Sequence, residues 1–192
     1  MIYYPNTKIL YFASRSTGSR SINTFFKKID GNDAVAYNNT LDIPTEATNT
    51  ENKLVVSVSN PYIRIYDKWK QRNEWLTKVN RANEIVTFAE SVKIDKTGPL
   101  NVISEDLNTK NLTPDIIIRL EYIKSDIKLI PGVDLEKNKT HRWSYATHIA
   151  TDGVVRRYSE WKSNYTQELA DIIYTKFEKD FTAYNYSKDS WK

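Results

Sequence analysis

Two apolar runs constrain this chain more than any other feature, because each is followed by a turn and then by apolar side chains at helical spacing. The first is Lys8–Ala13, KILYFA. It is short, apolar and aromatic, which predicts a buried strand. Residues 14–21, SRSTGSRS, are small and polar, and then Ile22, Phe25, Phe26 and Ile29 recur at helical steps. That spacing puts four side chains on one helix face, and Asp30-Gly31 supplies the stop. The second run, Leu54–Val58 (LVVSV), is rich in β-branched residues that favour a strand. Asn60-Pro61 follows it, with proline suited to a first helical turn and the residue before it acting as cap. Trp75, Val79, Ala82, Val86 and Ala89 predict one long amphipathic helix. Leu169, Ile172, Ile173, Phe177 and Phe181 predict a last one. Residues 38–52 and 95–113 read as loops. Asp115–Ile123, DIIIRLEYI, reads as strand or short helix, and DIKLIPG after it as strand or connector. Strands alternating with helices predict an α/β domain with a mainly parallel central sheet flanked by helices, and 192 residues suit a single domain over 1–192.

Composition removes several functions. The chain has no cysteine, so disulfides, thiolate metal sites and cysteine nucleophiles are excluded. Two histidines, His141 and His148, are too few for a histidine-built metal cage, and no metal is expected. No run approaches the roughly 20 apolar residues of a membrane span, and the first residues lack the pattern of a secretory signal. A cytoplasmic protein is the resulting expectation. Lys and Arg exceed Asp and Glu by 28 to 24. Basic residues gather with aromatics at 62–81 (Arg64, Lys68, Lys70, Arg72, Lys78, Arg81) and at 141–143 and 155–162. Such mixing fits a polyanion-binding face. The favoured alternative is a solvated helix face whose lysines cover apolar surface, and nucleic acid is not the expected partner.

The chemistry concentrates in the first turn. A helix start offers unpaired N–H groups and a partial positive charge, which suit phosphate-like anions. Thr17, Ser19 and Ser21 offer hydroxyl donors there, Gly18 permits close backbone approach, and Arg15 and Arg20 bring full charges. A plain capped turn is the bland alternative, since Ser and Thr favour helix starts in any case. The sequences G-x-x-x-x-G-K-[ST] and G-x-G-x-x-G are both missing, so neither of those nucleotide loops is indicated.

Ser16–Ile22, STGSRSI, resembles the K-T-G-S-T-S-[LI] loop of sulfotransferases that use 3′-phosphoadenosine 5′-phosphosulfate (PAPS). Val55–Ile65, VVSVSNPYIRI, resembles their apolar strand followed by R-[ND]-P-[YF]-x-R-L. Asp115–Asp126 is similar to their D-x-[IV]-x-[KR]-x-E-x-[LI]-x-x-D, Asn138-Lys139-Thr140 to N-K-[ST], and Tyr174–Ser187 to the family ending Y-x-x-D-F-x-x-[FL]-G-Y. These five elements occur in family order across nearly the whole chain, nearest in type to compact carbohydrate sulfotransferases.

The resemblance implies a P-loop-like three-layer α/β domain. It implies transfer of a sulfuryl group from PAPS to a hydroxyl of a carbohydrate or small metabolite. By its positions, Arg15, Ser16, Thr17, Gly18, Ser19, Arg20 and Ser21 would hold the phosphosulfate, and Ser59 and Lys139 would also lie on the cofactor. Arg15, Arg20 and His141 are the candidate catalytic residues: a cation at the leaving oxygen from either arginine, and an acid/base from the histidine. A surface histidine in a basic patch is the alternative for His141. The sequence departs from the family at several points. Ser16 stands where the family has its loop lysine, Ser59 where it has the arginine before N-P-Y, and Asp67 where it has a phosphate-binding serine. Arg64 is retained and is expected to be structural. Between the two loops there is no histidine, leaving Asp42 and Glu46 as the available carboxylates. Each lost anchor costs a few kcal/mol of cofactor binding. A catalytically degenerate module of the same fold, holding a nucleotide or a sulfated ligand, is therefore the companion expectation.

Overall fold

The computed structural model describes residues 1–14, 17, 19–31, 33–36, 49, 51–94, 102–133 and 161–192. By its contacts the chain divides into two compact units: Met1–Val58 with Leu107–Arg157, and Ser59–Asp106 with Tyr158–Lys192.

In the first unit the KILYFA run forms β2 (Ile9–Phe12), and LVVSV forms β4 (Lys53–Val58). They pair in parallel, with Tyr11 opposite Val55 and Phe12 opposite Val56. DIIIRLEYI satisfies both of its expectations in succession. Ile116–Arg119 is β5, parallel to β4, and the chain then tightens through a 3-10 turn into α5 (Ile123–Asp126). Two strands were not foreseen. Before β2 lies β1 (Ile2–Tyr4), and after the first helix lies β3 (Val35–Ala36), both antiparallel in their pairings. The sheet order is β3-β1-β2-β4-β5. The fold is α/β, but the five-stranded sheet is mixed and only partly parallel. The expected parallel core is present in β2, β4 and β5, while the opening residues IYYPNTK turn back on the chain as a hairpin, which a parallel neighbour could not do in so few residues.

The first helix, α1 (Ser19–Ile29), lays its periodic face on one side of this sheet. Ile22, Phe25 and Phe26 join Tyr4, Ile9, Tyr11, Val55 and Ile118 in one buried cluster. Phe26 is the hinge of that packing, edge-on to both Tyr4 (5.2 Å between centroids) and Tyr11 (5.3 Å). The helix stops at Asp30-Gly31, where Gly31 takes φ +76°, a conformation that costs glycine little. Asp30 is buried and ties the stop to the β1–β2 hairpin, since Oδ1 accepts from Thr7 N (2.7 Å) and Thr7 Oγ1 (3.0 Å).

The second unit is helical. Its first helix, α2 (Pro61–Lys78), begins with Pro61 in its first turn, and the Asn60 side chain accepts from Tyr62 N. The expected long helix through Ala89 is instead broken. The chain leaves α2 at Val79, passes Asn80 at φ 57°, makes a 3-10 turn at Ala82–Glu84 and restarts as α3 (Phe88–Lys93). Thr87 and Glu90 form a reciprocal capping box that starts α3. The periodic apolar pattern runs across the break, so periodicity alone could not locate it. Residues 95–113, expected as loop, contain α4 (Ile103–Thr109). The final helix is α6 (Gln167–Ala183), capped by Thr166 and interrupted at Phe177, whose φ/ψ of −115/19 is not helical. The aromatic side chains of Tyr62, Tyr66, Trp69, Phe88, Trp161 and Tyr165 form a chain of edge and tilted contacts in this unit. No helix among the described residues is long and apolar enough to cross a membrane.

Candidate functional site at the ends of two parallel strands

In parallel strands, side chains at paired positions share a face. Tyr11 shares its face with Val55, and Ser57 lies two residues further along β4 on that same face. A serine at 0% exposure needs hydrogen-bond partners, because a buried hydroxyl left unpaired is costly. Among the described residues Ser57 has two: Tyr11 OH at 2.7 Å and Thr17 Oγ1 at 2.7 Å. Thr17, also fully buried, makes one further bond, donating from Oγ1 to the Ser14 carbonyl at 2.9 Å. Three hydroxyls and a backbone carbonyl thus run in line from strand β2, through β4, into the β2–α1 turn.

Burial holds the Tyr11 phenol far above its ordinary pKa, against a smaller opposing effect of the Ser57 hydrogen bond. The phenol is protonated, and so a donor, throughout the neutral range. Its ring rests on Phe26 while its hydroxyl reaches Ser57.

The expected loop residues divide as follows. Thr17 is described, and its position corrects one expectation: its hydroxyl proton is spent on the Ser14 carbonyl and its side chain has no exposed surface. Its hydroxyl is therefore not a free donor in this arrangement. Ser19 is the first residue of α1 and is partly exposed, and Arg20 and Ser21 follow within the helix. The side chains of Arg20 and Ser21 lie outside the described residues, as do Arg15, Ser16 and Gly18 entirely. Lys139, His141, Asp42 and Glu46 also lie outside them. Ser59, which follows β4, is 2% exposed.

A second polar arrangement marks the end of β5. Arg119, opposite Val58 in the ladder, donates from Nε to Asp126 Oδ2 (2.8 Å) and from Nη2 to Oδ1 (3.0 Å), and its backbone N also reaches Oδ2 (2.9 Å). The guanidinium lies over the Tyr122 ring at 4.7 Å. Asp126 is almost fully buried, so this paired and stacked geometry fixes the chain as it leaves the sheet.

Two residues that sequence reasoning passed over, Tyr11 and Ser57, thus build the turn. The signal was present: a lone hydroxyl inside the apolar run LVVSV, in phase with Val55, must find a partner once buried. Among the described residues there is no group of three or more His, Asp or Glu able to hold a metal ion. Compared with known proteins, the chain matches no family model, no curated protein and no solved structure.

Proposed function

We propose that this chain is a sulfotransferase-like protein of P-loop-like, three-layer type that binds PAPS at the β2–α1 turn. The acceptor is a hydroxyl of a carbohydrate or small metabolite, and the setting is cytoplasmic. The observation that carries this reading is the parallel pairing of β2 with β4. The two strands that precede the two family-like turns are neighbours in one sheet. In such a reaction the acceptor oxygen attacks sulfur while the sulfur–oxygen bond to the 5′-phosphate breaks. The acceptor proton passes to a base, and adenosine 3′,5′-bisphosphate leaves with the electron pair. Cations at the leaving oxygen would come from Arg15 or Arg20, and His141 is the candidate acid/base.

A second reading shares the fold but not the catalysis. Ser16 and Ser59 replace a lysine and an arginine of the resembled family, which favours a nucleotide- or sulfated-ligand-binding module. The polyanion-binding alternative is weakened by the second unit itself. Of the six basic residues at 62–81, Arg64 is buried against Asp180 and Arg81 is paired with Glu84.

The test begins with thermal unfolding in the presence of adenosine 3′,5′-bisphosphate. At a hundredfold excess over Kd the expected stabilisation is about 2.7 kcal/mol, or roughly 5–10 °C in Tm for a chain of this size. Transfer of labelled sulfate from PAPS to a panel of sugars then separates enzyme from binding module. No shift with the bisphosphate removes the enzyme and the nucleotide-binding module, and leaves only a sulfated ligand.

A further inference from the structure

The hydroxyl chain has a direction. A carbonyl only accepts, so the Thr17 proton points to Ser14 O. Thr17 Oγ1 must then accept from Ser57, whose single proton is thereby used. Ser57 must in turn accept from Tyr11. The order is Tyr11 OH, Ser57 Oγ, Thr17 Oγ1, Ser14 O, with every donor engaged. Reversing any link would set two lone pairs against each other or leave a buried proton unpaired.

We propose that Ser57 is a positioning residue for the β2–α1 turn, holding Thr17 as an inward lock on Ser14 rather than as a ligand to the bound nucleotide. This rests on the reading given under Proposed function. Six residues, 13–18, separate β2 from α1. Within them, residue 17 is bonded to residue 14 and anchored to β4 by the side chain of Ser57. The strands therefore hold Thr17 in place before any ligand arrives, which lowers the ordering cost of binding. The threonine hydroxyl of the loop is withheld from the ligand.

The experiment measures the Kd of adenosine 3′,5′-bisphosphate by calorimetry at a temperature well below Tm, for the full chain and five variants. Thr17→Val and Tyr11→Phe each break the lock, at different links, and either can stand in if Ser57→Ala does not fold. A loss of roughly tenfold in affinity, about 1.4 kcal/mol, is expected for each. Combining Thr17→Val with Tyr11→Phe should cost little more than either alone, because one chain is broken twice. Thr17→Ser keeps the hydroxyl and should bind within about twofold of the parent. If Thr17→Val and Tyr11→Phe lower Tm but bind with parental affinity, the hydroxyls only pack the core and the positioning role is overturned. If Thr17→Ser weakens binding as much as Thr17→Val, the threonine methyl rather than the proton chain is at work, and the proposal again fails. Absence of binding by the parent chain removes the functional reading, and the positioning role with it.

Discussion

The two units differ in the polar groups at their centres, although the first also buries the carboxylates of Asp30 and Asp126 at its chain turns. At the centre of the first, the buried groups are neutral: a phenol, a serine and a threonine passing one proton each along a line that ends on a carbonyl. At the centre of the second, they are charged. Arg64 and Asp180, each about 2% exposed, pair at 3.2 Å, and Asp180 also accepts from Ile103 N (3.0 Å), Ser104 N (2.8 Å) and Ser104 Oγ (2.9 Å). One carboxylate thus holds α2, the start of α4 and α6 together. The Arg64 guanidinium also lies over the Phe177 ring, at the interruption of α6. Desolvation lowers the Arg64 pKa, and the nearby Asp180 charge opposes that shift. A neutral chain costs little to bury and can be altered link by link, which suits a turn that must be set with precision. An ion pair in the same dry setting is held only while both partners stay, so it fixes architecture.

The largest expected effect breaks the second unit at this point. Asp180→Ala removes the carboxylate that pairs with a buried guanidinium and accepts from the first N–H groups of α4, and should cost about 3–5 kcal/mol in urea unfolding. Arg64→Ala should cost less, because three neutral donors still satisfy the remaining carboxylate. If the two substitutions cost the same, the helix-start bonds to Asp180 contribute nothing and the contrast between the units narrows to charge alone. In the first unit, Tyr11→Phe leaves Ser57 without a donor and should cost about 1–3 kcal/mol, below Asp180→Ala.

A smaller effect comes from alkaline pH. Burial raises the phenol pKa of Tyr4 and Tyr11 in the first unit and of Tyr62, Tyr165 and Tyr184 in the second. In the unfolded chain these groups titrate near 10. The folded state keeps its protons longer, so their contribution is complete below about pH 10 and is lost as pH climbs toward the folded values. Unfolding midpoints should be flat from pH 7 to about 9 and fall above 10. Tyr11→Phe should remove one group's share of that slope, up to about 1.4 kcal/mol per pH unit. An unchanged slope would mean that Tyr11 ionises in the fold as readily as in the unfolded chain, and that burial does not hold its proton.

How much of this was legible depends on what kind of signal each residue gives. The strands β2 and β4 announce themselves as short apolar runs and the helices α1 and α6 through periodicity, because the buried side chains Ile22, Phe25, Phe26, Leu169, Ile173 and Phe181 had to fall in phase. β1 and β3 are three and two residues long, too short for any period to register. The break between α2 and α3 depends on Asn80 adopting a left-handed conformation, a local choice that the apolar pattern does not encode. At the site, residue types near Gly18 suggested an anion cradle, and the sequence named Thr17 as a donor. It could not say which way Thr17 points, because that is decided by Ser57, forty positions away. The Arg64–Asp180 pair has the same character at a separation of 116. Long-range polar pairing is settled by the fold, and a single sequence carries only its two unmatched halves.

The finest distinction between the units lies at their helix starts. In the second unit, Asn60 accepts from Tyr62 N at 3.0 Å through Oδ1 and donates from Nδ2 to Ser190 Oγ at 2.8 Å. It therefore caps α2 and ties down the chain's last turn with one side chain. Asn60→Ala removes both and should cost about 1–2 kcal/mol, whereas Asn60→Asp keeps the acceptor for Tyr62 and loses only the donor to Ser190. The Ser190 hydroxyl already donates to the Ser187 carbonyl at 2.7 Å, so the new carboxylate would face an oxygen whose proton is in use, and Asn60→Asp should cost about 1 kcal/mol, less than Asn60→Ala. If Asn60→Asp is as damaging as Asn60→Ala, the amide's donor is the important half and α2 starts on its proline alone. The helix start of the second unit would then depend, like the turn of the first, on the direction of a single proton.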